Sequence, residues 1–142
     1  MTEHKHQMTN THILLQGFEC LEPTSLEEAI ALLEQYGDRA QVLAGGTFLL
    51  VQMKMEHLAP ECVINVNKVP ALNGICSSDE DGSLHIGALT KIRALRDASR
   101  IQTGYTALAE ACAAFGSAQI QMMGTVGGNL CNGSPASDTV PA

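Results

Sequence analysis

Two glycine-rich segments constrain this chain more than any other feature. The first is Val42-Leu43-Ala44-Gly45-Gly46-Thr47-Phe48-Leu49, an apolar run broken by a glycine pair. The pattern before it is that of a short strand, and the pattern after it is that of a helix. A turn in that place leaves main-chain N–H groups unpaired at a helix start, where the helix dipole favours an anion. Two glycines let the backbone come close to a pyrophosphate, and Thr47 adds a hydroxyl donor. The spacing is neither G-x-G-x-x-G nor G-x-x-x-x-G-K-[ST], and no lysine follows the glycines. A nicotinamide Rossmann site and a P-loop nucleotidase are both disfavoured.

The second segment runs from Gly124-Thr125-Val126-Gly127-Gly128-Asn129 through Leu130-Cys131-Asn132-Gly133-Ser134-Pro135-Ala136-Ser137 to Asp138. So many small polar residues offer little side chain to bury and much backbone to satisfy. A ligand meeting the main chain explains such a run, and so does a plain loop-rich connection. The first glycine pair is open to the same bland reading, as an ordinary turn.

Around these segments the pattern is regular. Ser25 and Glu28 have capping-box spacing, and Leu26, Ala29, Ile30 and Leu33 repeat as an amphipathic helix that should stop at Gly37. A short strand precedes the first glycine pair, a helix is expected over 48–55 and a second strand over 62–66. These two strands should be parallel. Beyond Lys68, strands around Ile75-Cys76 and 84–86 should form a hairpin through the turn 77–83, whose Asp81-Gly82 step is a hairpin signal. Thr90 is placed to cap a helix running to Asp97, and another helix is expected over 106–115. The organisation expected is a polar tail over 1–12, an α/β unit over 13–67 and an α+β unit over 68–142. His4, His6 and His12 fit a mobile terminus better than a metal site.

Composition removes other classes. Lys and Arg total 8 against 15 Asp and Glu, a net charge of -7, which argues against nucleic acid or an anionic membrane as partner. No apolar run approaches the roughly 18 residues of a membrane-spanning helix, and the N-terminus has no signal-like apolar stretch. The chain is expected to be soluble and cytoplasmic. Its 5 cysteines are an odd number with no CxxC pair, so reduced, mostly buried thiols are expected, with neither a zinc site nor an iron–sulfur cluster on this chain alone.

Taken together, the motifs resemble the flavin-binding subunits of the molybdenum hydroxylases, such as the medium subunit of carbon monoxide dehydrogenase and the flavin domain of xanthine dehydrogenase. The resemblance spans 18–142. It includes Pro23-Thr24-Ser25-Leu26-Glu27-Glu28-Ala29, Leu43-Ala44-Gly45-Gly46-Thr47, Val51-Gln52-Met53-Lys54, Ile86-Gly87-Ala88-Leu89-Thr90 and Gly116-Ser117-Ala118-Gln119-Ile120. Thr125-Val126-Gly127-Gly128-Asn129-Leu130-Cys131-Asn132 and the run from Ser134-Pro135 to Asp138 complete it.

The resemblance implies an α/β plus α+β, two-subdomain FAD-binding fold of the vanillyl-alcohol-oxidase-like (PCMH-type) kind, incomplete at its C-terminus, with FAD between the subdomains. It implies that the turn over Val42, Leu43, Ala44, Gly45, Gly46, Thr47, Phe48 and Leu49 wraps the pyrophosphate and ribityl chain. Thr125, Val126, Gly127, Gly128 and Asn129 then meet the diphosphate from the other side, and Asp138 takes a ribose hydroxyl of the ADP half. Phe115 and Gly116 match positions near the adenine, although Phe115 reads equally well as the core-facing end of its helix. It also implies partners: a small subunit with [2Fe-2S] clusters and a large subunit with molybdopterin. Electrons would pass through FAD to NAD, a quinone or oxygen, and no side chain of this chain is expected to be catalytic.

Two departures stand out. Gln121-Met122-Met123 replaces the basic or amide residues of relatives, and the chain ends at Ala142, where relatives continue. The chain is therefore expected to be an N-terminal portion. Two other readings remain open here. One is a stand-alone FAD oxidoreductase of the same broad fold, although no histidine lies beside either glycine segment. The other is a non-catalytic module that docks on partner subunits.

Overall fold

The computed structural model describes residue 14 and residues 16–78 and 82–142. The tail over 1–12, with His4, His6 and His12, lies outside the described residues, as does Asp81 of the predicted hairpin turn.

The first half is a small parallel sheet with helices. β1 (Glu19–Leu21) is followed by α1 (Leu26–Tyr36), β2 (Ala40–Leu43), α2 (Leu49–Lys54) and β3 (Cys62–Asn65). Ser25 accepts from Glu28 N at 3.1 Å, and Glu28 reaches back to Thr24 N at 2.8 Å, so the capping box closes one residue earlier than the motif requires. Gly37, at φ +53°, stops α1 as its spacing predicts. The sheet order is β1-β3-β2, parallel throughout. Its central strand explains its composition: Cys62, Val63 and Ile64 are fully buried because both faces are covered. Cys62 and Ile64 face a core with Ala29, Ala40, Val66, Val69 and Leu89, while Val63 faces Leu49 and Met53 on the other side.

The second half begins with the antiparallel hairpin of β4 (Ile75–Ser77) and β5 (Leu84–Ile86). Five short helices follow: α3 (Ile92–Asp97), α4 (Ser99–Gly104), α5 (Thr106–Ala114), α6 (Ala118–Met123) and α7 (Val126–Cys131). Their core is Ile92, Leu95, Ile101, Cys112 and Phe115.

Several expectations need correction. Thr90 does not cap α3; its hydroxyl donates to Gly74 O at 2.9 Å and ties the helix entry to the hairpin. The second glycine pair is no open turn but the first turn of α7, because the Thr125 hydroxyl accepts from Gly128 N at 3.1 Å and caps it. Leu26 and Ile30 are not buried by the α1 core face, standing 40% and 48% exposed. All five cysteines are free, but only Cys62 and Cys112 are buried. Burial pushes both thiols up in pKa.

Candidate functional site

A groove of about 600 Å³ runs between the two halves. That is the size of a pocket for a small-molecule ligand. One wall is the first glycine segment, which contributes Val42, Ala44, Gly45, Gly46, Thr47, Phe48 and Leu49. The opposite wall is α7 and its cap, with Thr125, Gly127, Gly128 and Asn129. Phe115 also lines the groove, and Leu26 and Ile30 of α1 supply an apolar side. This explains their exposure. Among the described residues, no Lys, Arg, His, Asp or Glu side chain lines it.

The first segment is held by what glycine lacks. A Cβ on Gly45 would lie 2.3 Å from Met123 O and 3.0 Å from Gly124 Cα, so the turn sits directly on the backbone of the second half. Gly46 has φ +74°, a conformation that favours glycine. Among the described residues, the main-chain N–H groups of Gly45, Gly46, Thr47, Phe48 and Leu49 donate to no other residue. Five such donors on residues that line one groove are the means by which a main chain can take an anion without a cation.

The second segment is satisfied within the protein. Val126 N donates to Thr90 O, Gly127 N to Ala88 O, Gly128 N to the Thr125 hydroxyl and Asn129 N to Thr125 O. What it offers the groove is side chains. Asn129 Oδ1 accepts from the Ser137 hydroxyl at 2.5 Å, from Thr139 N at 3.4 Å and from the Thr139 hydroxyl. A backbone N–H only donates, so the atom facing Thr139 must be the amide oxygen. Asn129 Nδ2, with no partner among the described residues, is left as a donor.

Four predicted residues do not line the groove. Leu43 packs with Leu49, Met53 and Val63, and Val126 packs against the second core. Gly116 takes φ +47° next to Ile120. Asp138 is exposed beyond the α7 wall. The Gln121 position is structural: the buried side chain accepts from Arg96 at 2.9 Å and donates to Phe115 O at 3.0 Å, while Met122 and Met123 point outward. Missed by sequence reasoning were Leu26 and Ile30 as groove wall and Asn67, whose side chain holds Ala44 O at 2.7 Å. A helix face apolar at its N-terminal end, one strand ahead of a glycine turn, is a signal for the first two. No signal exists for Asn67, which reads as an exposed polar residue after a strand. Among the described residues no cluster of His, Cys, Asp and Glu could hold a metal ion, and no helix is long and apolar enough to cross a membrane.

The chain is similar to known proteins over nearly all its length. Residues 16–142 match the family described as the FAD binding domain in molybdopterin dehydrogenase. The carbon monoxide dehydrogenase medium chain of Hydrogenophaga pseudoflava is 39% identical over 121 residues, 85% of this chain and 42% of the relative. The nicotinate dehydrogenase FAD-subunit of Eubacterium barkeri is 37% identical over 129 residues, 90% of this chain and 43% of the relative. A solved structure of carbon monoxide dehydrogenase from Hydrogenophaga pseudoflava superposes with a TM-score of 0.83 at 38% identity, covering 89% of this chain and 43% of that one. The chain thus spans less than half the length of the relatives it matches. With its family match, its shared fold and the two glycine segments meeting at one groove, this chain belongs to the FAD-binding domain family of the molybdopterin dehydrogenases.

Proposed function

We propose that the groove binds FAD, and that the chain is the FAD-binding part of an electron-transfer subunit of a molybdopterin-containing dehydrogenase, hence of an oxidoreductase. The observation that carries this reading is the run of five N–H groups from Gly45 to Leu49 that, among the described residues, donate to nothing and belong to a groove lined by no charged side chain. A diphosphate can be held there by aligned N–H dipoles.

In this proposal Val42, Ala44, Gly45, Gly46, Thr47, Phe48 and Leu49 cradle the pyrophosphate and ribityl chain, with Leu43 packed beneath them. Thr125, Gly127, Gly128 and Asn129 face the diphosphate across the groove, the Asn129 amide nitrogen donating, with Val126 anchoring α7. Phe115 and Gly116 border the adenine, and Asp138 accepts from a ribose hydroxyl. When bound, the flavin supplies the redox chemistry, receiving electrons from iron–sulfur clusters and releasing them to an acceptor such as NAD or a quinone. The chain's own residues bind and orient it, and none is assigned a catalytic role. The proposed partners are a small subunit with [2Fe-2S] clusters and a large subunit with molybdopterin, in the cytoplasm.

Titration of the chain with FAD and FMN, read by flavin fluorescence, tests this. FAD should bind more tightly, because only FAD carries the diphosphate and ADP half. Equal affinities, or no binding of either, would overturn it. Asp138→Ala should weaken FAD by about 1.5–3 kcal/mol and leave FMN unchanged.

A further inference from the structure

A relay of side chains begins at a surface ion pair and ends at the first glycine segment. Lys68 Nζ lies 2.6 Å from Glu22 Oε2, and Glu22 Oε1 accepts from Asn65 Nδ2 at 3.0 Å. A carboxylate only accepts, so Asn65 must present its NH₂ to Glu22. That turns Asn65 Oδ1 toward Asn67, where it accepts from the backbone N at 3.2 Å and from Nδ2 at 2.7 Å. The other hydrogen of Asn67 Nδ2 goes to Ala44 O, at 2.7 Å. A charge at one end thus sets the direction of every hydrogen bond to the other.

The last bond acts on a peptide plane. In a trans peptide the C=O and the next N–H point in opposite directions. Asn67 is not among the residues lining the groove, whereas Ala44 and Gly45 are. Drawing Ala44 O toward Asn67 therefore turns Gly45 N–H the other way, where it donates to no described residue. Gly45 carries no Cβ to resist a rotation of that plane, and the rotated peptide would present a carbonyl, the wrong sign, to an anion.

We propose that Asn67 is a positioning residue, holding the Ala44–Gly45 peptide so that Gly45 N–H faces the bound diphosphate, with Glu22 and Asn65 fixing the direction of its amide. The assignment rests on the FAD reading above. Asn67→Asp keeps the shape but cannot donate. It should weaken FAD and ADP together by about tenfold, the scale of one hydrogen bond. Riboflavin, which has no phosphate, should bind as before, while the ligand-free chain should melt lower, because the new carboxylate faces the acceptors Ala44 O and Asn65 Oδ1. A parallel loss for riboflavin would show a merely structural residue and overturn the proposal, as would undiminished FAD affinity. The ligand-free chain gives an independent arm. The Gly45 amide resonance should move in Asn67→Asp while that of Gly127 stays, and an unmoved Gly45 resonance overturns the assignment. Failure of the parent chain to bind FAD would instead sink the FAD reading and leave the Gly45 resonance to decide this one.

Discussion

The two glycine pairs read almost alike along the chain, Ala44-Gly45-Gly46-Thr47 and Val126-Gly127-Gly128-Asn129, yet their main-chain donors do opposite things. From Gly45 to Leu49 the amides donate to nothing within the described residues; from Val126 to Asn129 every one is bonded inside the protein. Both pairs make one close contact, Gly45 on Met123 O and Gly127 on Ala88, and they differ in the backbone around it. Gly46 permits a left-handed backbone, which opens a turn toward the groove. Gly127 permits contact, since a Cβ there would lie 2.6 Å from Ala88 Cβ and 2.7 Å from Ala88 O. One pair exposes backbone and the other buries it. A glycine-rich stretch beside a ligand is therefore not by itself a ligand contact.

Four measurements test that contrast. The largest effect should be Gly127→Ala, whose new methyl meets backbone that cannot step aside. It should cost about 3 kcal/mol of stability or more, read by thermal unfolding. Gly46→Val should be milder for the fold, about 1–2 kcal/mol for a left-handed residue with a side chain, and severe for FAD titration. If Gly127→Ala melted like the parent but lost flavin, the two roles would be reversed. Next comes Thr125→Ala, which removes the α7 cap and should cost about 1 kcal/mol, with Thr125→Ser restoring most of it.

The smallest effect concerns Lys91, which sits under the junction and donates to Met123 O at 3.1 Å. Burial lowers its pKa from the ordinary 10.5. Its charged form is therefore disfavoured in the folded state, and the unfolded chain holds the proton to higher pH. Stability lost to this burial at neutral pH should be regained as pH rises toward 10.5. Melting curves of the parent against Lys91→Met should converge over that alkaline range; divergence would show that the ammonium is stabilising where it lies.

How far these features can be read from sequence follows from whether their causes are local. α1 and β3 were legible because a capping pair, a stop glycine and an unbroken apolar run each carry their own signal. β1 was not, since Glu19-Cys20-Leu21 becomes a strand only by pairing with Cys62, Val63 and Ile64 far along the chain. The helical state of Val126–Cys131 was hidden because glycine is a poor helix former, and what overrides it is the Thr125 hydroxyl together with docking on Ala88 and Thr90. At the groove, the glycine motifs named the walls, but nothing in them tells bonded amides from free ones. That distinction depends on which backbone lies opposite, a property of the folded chain alone.

The sheet order has a consequence for how the chain is made. β1 and β2 are each bonded to β3 and not to each other, so the strand synthesised last of the three is the one both need. Until Cys62–Asn65 has emerged from the ribosome, the nascent chain carries two strand segments without a partner, and the peptide at Ala44 lacks both Asn65 and Asn67. Exposed edges of this kind invite pairing with other chains. On the FAD reading proposed above, flavin capture during synthesis waits for β3, and pauses in translation before residue 62 should raise the fraction lost to aggregation.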